Sequence, residues 1–341
     1  MSSFRSAWWL PGPHAVTLWG KFGRREPAHN MRWERVDTPD GDFLELVHVD
    51  APHSSTDASD GDTTRTHDTT PRLLILHGLE GGVNSHSVRG LMREAHTRGW
   101  NATLMLYRTC GPTPNNLPRS YHSGETGDPL FVIERLIAQR PHAPLGVVGI
   151  SLGGNVLCKL LGERGDTVPA QLKAAVAVST PFDLARGSRR ISTGFSRIYE
   201  QAFLRSLVPK AHRKIARHAE LAQITLPERV RTVWEFDDEF TSQVHGFTNA
   251  ADYYARSSSL QFLSGIRRPT LLLSAMDDPF LPPSVLDDVR AATTRNAAIT
   301  LEFPERGGHV GFVGGPSPWR PFYYGEWRAA EFLGEQFAAQ W

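Results

Sequence analysis

The run Leu145-Gly146-Val147-Val148-Gly149-Ile150-Ser151-Leu152-Gly153-Gly154-Asn155 constrains this chain more than any other stretch. Leu145 to Ile150 is apolar and of strand length, and Val156, Leu157, Leu160 and Leu161 then recur at helical spacing. The turn between them carries G-x-S-x-G as Gly149-Ile150-Ser151-Leu152-Gly153. A strand that enters a helix through such a turn holds its central serine in a strained conformation, with the hydroxyl clear of the backbone. Glycine on either side is a steric need, because a Cβ there would meet the adjoining strand and helix. The helix N-terminus behind the serine offers free N–H groups and positive dipole, which suit a developing oxyanion. Taken alone, the motif also fits a glycine-rich turn with an ordinary N-cap serine. A phosphate loop does not fit, since no Lys-Ser/Thr follows the glycines and no G-x-G-x-x-G is present.

The flanking sequence favours the strand–turn–helix reading. Apolar strands are expected at 72–76, 102–107, 145–150, 174–178, 269–274 and 298–303. Helices are expected at 87–98, 128–139, after Ser151, at 283–293 and at 319–337. Strands this apolar, separated by helices, imply an α/β fold with a mostly parallel sheet covered on both faces, and functional residues at the carboxyl ends of the strands. Met31–Asp37 and Phe43–Asp50 read as two further strands joined by the turn Thr38-Pro39-Asp40-Gly41-Asp42. Residues 1–30, rich in Trp, Pro and Arg, read as an arm packed on the main domain. Residues 51–70 are almost all Ser, Thr, Asp, His and Gly, the composition of a flexible exposed loop. The alternation stops across 181–268, where helical segments carry many arginines and aromatics. That stretch is expected to be a helical cap inserted between a first core part at 31–180 and a second at 269–341.

Composition narrows the function classes. The 341 residues carry a formal net charge of +1, which gives no reason to expect nucleic acid or an anionic membrane as partner. Two cysteines, Cys110 and Cys158, offer no disulfide framework and read as packing residues, Cys158 as a buried one. No apolar run reaches membrane-span length, and Pro11 and Pro13 break the Trp8-Trp9-Leu10 run before it could form a secretory signal, so the expected setting is soluble and cytoplasmic. No His pair stands at H-x-x-x-H spacing with a third ligand, so neither metal nor cofactor is called for.

A serine hydroxyl becomes a competent nucleophile only when a base takes its proton and a carboxylate orients that base. Both partners appear downstream, in the order Ser, Asp, His. Ala275-Met276-Asp277-Asp278-Pro279 follows one expected strand, and Gly307-Gly308-His309-Val310-Gly311 follows the next. Asp277 and Asp278 compete for the acid role. Asp278 is favoured because it opens an Asp-Pro-x-x-Pro turn, with Asp277 left as a turn or cap residue. His309, flanked by glycines, is the expected base. An oxyanion hole needs two backbone donors. The N–H of Leu152 is one, and the N–H of Leu79 in His77-Gly78-Leu79-Glu80-Gly81-Gly82 is the candidate for the other. His77 is expected to hold that loop rather than act as a second base. The acidic run Glu235-Phe236-Asp237-Asp238-Glu239 reads as a solvated face or as partners for nearby arginines rather than a metal site.

Several of these segments together resemble the YheT/EMB8-type branch of the α/β-hydrolases, whose animal relatives are ABHD-type lipases. They are His77–Gly81, Arg108-Thr109-Cys110-Gly111, Tyr121-His122-Ser123-Gly124-Glu125-Thr126, Gly149–Asn155, Asp277–Phe280 and Gly307–His309. The resemblance runs from the Trp-rich arm to the C-terminal helix, interrupted chiefly at 51–70. It implies an α/β-hydrolase fold and a carboxylic-ester hydrolase with the triad Ser151, Asp278 and His309, some members acting on lipids. Membrane residence is not expected to carry over, as the chain shows no anchor segment. The partner implied is a small acyl ester. Acyl transfer, thioester cleavage, or ligand binding without catalysis on the same fold are the alternatives. The Tyr121–Thr126 run has no role derivable from sequence. Thr126 is a candidate N-cap for the helix that follows, with Asp128 complementing its dipole, and a structural network is favoured over a lining role for His122 or Glu125.

Overall fold

The computed structural model describes residues 4–24, 26, 30–52 and 69–339. Its centre is an eight-stranded sheet of β1 (Arg32–Asp37), β2 (Phe43–Val49), β3 (Arg72–Leu76), β4 (Asn101–Leu106), β5 (Leu145–Ile150), β6 (Leu172–Val178), β7 (Thr270–Leu273) and β8 (Ile299–Glu302). The spatial order is β1-β2-β4-β3-β5-β6-β7-β8. Neighbours from β4 through β8 pair in parallel, while β2 runs antiparallel to both β1 and β4. The chain therefore reverses its direction of travel at β3: β4 lies on one side of it and β5 on the other. The crevice at such a reversal is where α/β sheets place their ligands.

Both faces are covered, as the unbroken apolar strands require. Because successive side chains point to opposite faces, Leu74 and Leu76 pack on one side with Val132 and Ile133 of α3 (Gly127–Gln139), Val156 and Leu160 of α4 (Leu152–Arg164), and Val285 and Val289 of α10 (Pro283–Thr293). Leu73 and Ile75 pack on the other with Val88 and Met92 of α2 (His86–Thr97) and Ala329 and Leu333 of α11 (Tyr324–Ala338). All four leucine and isoleucine side chains are fully buried, each stabilising the fold by roughly 1.5–3 kcal/mol relative to exposure. Cys158 is buried in the first of these layers.

One expectation needs correction. Residues 319–337 are not one helix: β9 (Val313–Ser317) and β10 (Arg320–Tyr323) pair as a hairpin before α11 begins. Aromatic residues at 322–324 suit either state, and local spacing cannot register a partner strand. The amino-terminal arm also holds a helix, α1 (Gly12–Phe22). The helix starts only after Trp8–Leu10, and Pro13 falls in its first turn, where proline is tolerated because its missing N–H would be unpaired anyway. The expected loop at 51–70 lies, for residues 53–68, outside the described residues.

Between β6 and β7 the described structure is helical: α5 (Leu184–Ile191), α6 (Arg197–Arg217), α7 (Val233–Phe236), a π-turn at Asp237–Thr241, α8 (Ser242–His245) and α9 (Ala250–Ser257). Leu204, Leu207, Val208, Phe236 and Phe240 form a separate apolar cluster there. The acidic run lies in this stretch, with Glu235, Asp238 and Glu239 half-exposed as a solvated face would have them and Asp237 the exception. Asp237 is buried, accepting from Tyr254 Oη at 2.7 Å and Thr241 Oγ1 at 2.6 Å, and Asp238 accepts the Ala250 N–H at 2.7 Å.

Candidate active site

Ser151 stands between β5 and α4 with φ 51° and ψ −117°, a conformation that a non-glycine residue keeps only when its surroundings hold it. Its N–H donates to Val178 O on β6 at 2.8 Å, and its carbonyl accepts from the N–H of Gly154 at 2.9 Å. The flanking glycines are required by contact: a Cβ on Gly149 would lie 2.4 Å from Gly153 O, and one on Gly153 would lie 2.3 Å from Leu76 O. Ser151 is not alone in its strain. Among the described residues, the non-glycine positions with positive φ are Glu80, Thr109, Ser151, Ser179, Val310 and Phe312. They follow β3, β4, β5, β6 and β8, so all sit beyond the carboxyl ends of parallel strands. Clustering of this kind marks a site where geometry is held against local preference.

The residues singled out in sequence meet here. His309 Nε2 lies 3.0 Å from Ser151 Oγ, and His309 Nδ1 lies 2.9 Å from Asp278 Oδ2 and 3.2 Å from Oδ1. The Asp278 side chain is 2 % exposed and that of His309 10 %, so water competes weakly for either. Asp278 Oδ1 also accepts the Phe280 N–H at 2.8 Å. The Phe280 ring then stacks on the His309 imidazole, with centroids 4.1 Å apart. Asp277 takes a different part: its Oδ1 accepts the N–H groups of Gly307 and Gly308 at 2.8 and 2.9 Å. One aspartate meets the imidazole and its neighbour pins the loop that carries it.

The residues of the two candidate donors both line the space at Ser151. Leu152 opens α4, where an N–H has no carbonyl one turn back. Leu79 lies in the loop after β3, and Gly78 approaches Ser151 so closely that a Cβ on it would lie 3.3 Å from Ser151 Cβ. Neither N–H finds an acceptor among the described residues. His77 is fully buried; its Nδ1 donates to Gly78 O at 2.7 Å while Nε2 accepts the Tyr107 N–H at 3.2 Å. Burial pushes its pKa down to about 4, so the ring stays neutral and keeps both bonds.

Several contributors carried no sequence signal of their own. Thr17 Oγ1 of α1 accepts the His309 N–H at 2.9 Å, across 292 residues of chain, and Ser179 Oγ accepts the Val310 N–H at 2.9 Å. The Tyr121–Thr126 run acquires a role. Tyr121 Oη accepts the Glu80 N–H at 3.0 Å and donates to Glu80 Oε1 at 3.0 Å, closing the strained residue next to Leu79. The other oxygen of Glu80 meets Lys210 Nζ at 2.7 Å and the Ser206 hydroxyl, both on α6. Ser123 O accepts from Asn155 Nδ2 at 2.8 Å, and Ser123 N–H donates to Tyr253 Oη at 2.8 Å. Thr126 makes no side-chain cap; Glu125 Oε1 accepts the N–H groups of Gly127 and Asp128 instead, at 2.7 and 3.2 Å. Asp128 lies in the first turn of α3 as expected and also meets the buried guanidinium of Arg108, with both bonds at 2.7 Å. The network reading holds for most of the run, while Tyr121, His122 and Ser123 do line the cavity.

Two spaces meet at Ser151 and His309. One, of about 1130 Å³ with its mouth, runs beneath the 181–268 helices and is walled by Ile191, Phe203, Leu207, Phe236 and Phe240. The other is a wider cleft of about 2480 Å³ bordered by α1 and by Trp33, Ile198 and Val310. No group of three or more His, Cys, Asp or Glu among the described residues could hold a metal ion, and no described helix is long and apolar enough to cross a membrane.

The chain matches the family described as alpha/beta hydrolase fold over residues 71–316. Escherichia coli (strain K12) YheT, provisionally named an esterase, is 37 % identical over 320 residues, covering 92 % of this chain and 89 % of that protein. The Saccharomyces cerevisiae (strain ATCC 204508 / S288c) monoacylglycerol lipase is 30 % identical over 254 residues, covering 72 % and 55 %. Among solved structures, the Pyrococcus furiosus esterase Pf2001 superimposes with a TM-score of 0.55 at 16 % identity, covering 90 % of this chain and 93 % of that one, a likeness of fold. With that sheet, that turn and these relatives, the chain is a member of the α/β-hydrolase fold family, related to its esterases and lipases.

Proposed function

We propose that the protein is a serine hydrolase of carboxylic esters, acting through an acyl-enzyme. The reading rests above all on the unbroken line from Asp278 through His309 to Ser151, with its two links of 2.9 and 3.0 Å. Asp278 orients the imidazole so that Nδ1 carries the proton and Nε2 accepts one from Ser151. Ser151 Oγ attacks the acyl carbonyl, and the developing negative oxygen faces the N–H groups of Leu79 and Leu152. His309 returns the proton to the departing alcohol, then activates water to release the acid. The apolar space beneath residues 181–268, which serve as a cap, takes the acyl chain. The alcohol leaves by the wider cleft, which Ser151 and His309 also line.

Ser151→Ala tests the reading. Hydrolysis of p-nitrophenyl and acylglycerol esters should fall by several orders of magnitude, and a fluorophosphonate should label the parent protein but not the variant. Undiminished ester turnover by folded Ser151→Ala would end it. Including alcohol and thiol acceptors in the assay separates hydrolysis from acyl transfer by the products formed.

A further inference from the structure

Beside the catalytic chamber lies a third concavity, of about 1050 Å³, between α6 and the loop that follows β4. Lys210, Arg213, Lys214 and Arg217 all line it, and His218 closes one end. Their spacing of three, four and seven residues puts the four cations on one face of the helix, where like charges repel at a cost of roughly 0.2–0.5 kcal/mol per pair. No Asp or Glu lines the groove. Lys210 is balanced by Glu80 at 2.7 Å. Lys214 is buried and gives two protons to carbonyls, Leu117 O at 2.8 Å and Arg119 O at 2.7 Å. Burial and the surrounding guanidiniums of Arg108, Arg119 and Arg217 outweigh the attraction of Asp42 and push its pKa down to about 8. Asp42 itself is already committed to Arg108 at 2.9 Å. Arg213 and Arg217 are exposed and have no carboxylate partner among the described residues.

Lys210 and Lys214 serve the fold, but Arg213 and Arg217 add repulsion with no carboxylate to offset it, whereas an anion seated beside them would neutralise the repulsion and receive two guanidinium forks. The groove adjoins the catalytic chamber, with Thr109, Lys210 and Lys214 lining both. We propose that this groove is a binding site for a phosphate-type oxyanion, held by Arg213 and Arg217 with Lys214 behind them. Resting on the esterase reading, the anion is carried by the substrate, an acyl ester with a phosphate group whose acyl carbonyl lies at Ser151 in the adjoining chamber.

The test compares the parent protein with Arg213→Gln/Arg217→Gln, two exposed positions whose loss should leave the fold intact, as checked by its melting temperature. Inorganic phosphate is titrated calorimetrically at fixed ionic strength, a measurement that needs no catalysis. Its dissociation constant should rise at least tenfold in the double variant. The kcat/KM ratio for a 1-acylglycerol 3-phosphate over the 1-acylglycerol of equal chain length should also fall at least fivefold. Loss of phosphate binding with an unchanged ratio would support the groove but assign it to a free anion. Equal phosphate affinity in both proteins, or none in either, would overturn the site. If neither protein cleaves either ester, the esterase reading falls while the titration still decides on the groove.

Discussion

Removing one hydroxyl, in Tyr121→Phe, should slow the chemical step while leaving substrate binding nearly intact. Tyr121 is buried, and its Oη both accepts the Glu80 N–H and donates to Glu80 Oε1, each at 3.0 Å. Glu80 holds φ at 54°, a conformation costing of order 1–3 kcal/mol. In the variant a part-buried N–H is left without an acceptor, a further penalty of about 1–3 kcal/mol. The Glu80 carboxylate keeps Lys210 and Ser206, so the loop is loosened rather than released. If about 1–2 kcal/mol must be repaid each time Leu79 N–H is brought back to face the oxyanion, kcat falls roughly 5- to 30-fold. The ceiling is the loss of a whole oxyanion donor, about 10²–10³-fold. Steady-state kinetics with p-nitrophenyl butyrate, alongside a melting curve, give the measurement. A folded variant with kcat within twofold of the parent would refute the link between Tyr121, Glu80 and the oxyanion site. So would a loss appearing wholly in KM.

The two adjacent aspartates should separate cleanly. Asp278→Ala should cut kcat by roughly 10³–10⁴-fold with modest effect on stability. Asp277→Ala should instead cost about 2–4 kcal/mol in urea unfolding, through the two unpaired N–H groups of Gly307 and Gly308; the reverse pattern would exchange their roles. Acid should destabilise the fold below about pH 6.5. The imidazole of His77 titrates near 6.5 in the unfolded chain but is held down to about 4 when folded, and His122 to about 3, both chiefly by burial. The unfolded chain therefore binds more protons as pH falls through this window, at a cost of roughly 3 kcal/mol for His77 alone by pH 4. Buried Asp237, raised to about 6, acts in the opposite sense between about pH 6 and 4 and offsets part of this. A urea midpoint unchanged between pH 7 and 5 would contradict the balance.

What could be read in the sequence was what local chemistry dictates. Leu145–Ile150, Arg72–Leu76 and Pro283–Thr293 fall where their apolar spacing and turn residues put them. Ser151, His309 and the aspartate pair are legible because each lies within two residues of a glycine or proline that shapes a turn, and those turns follow recognisable strands. The contacts made across long stretches of chain were not legible. Thr17 is an ordinary helical threonine until His309 arrives beside it, and Tyr121 is an ordinary aromatic until the loop after β3 folds against it. The hairpin at 313–323 failed for the same reason, since pairing is a property of two segments. In the acidic run at 235–239 composition does not reveal that Asp237 is buried, because the tyrosine it meets, Tyr254, lies on a later helix.

The bond between Thr17 and the backbone of His309 joins the first helix of the chain to one of its last loops. During synthesis the amino-terminal helix leaves the ribosome long before the residue it will support exists. The proposed relay thus cannot assemble until residue 309 has emerged, and a chain stopped short of that point would present Ser151 with no base at its side.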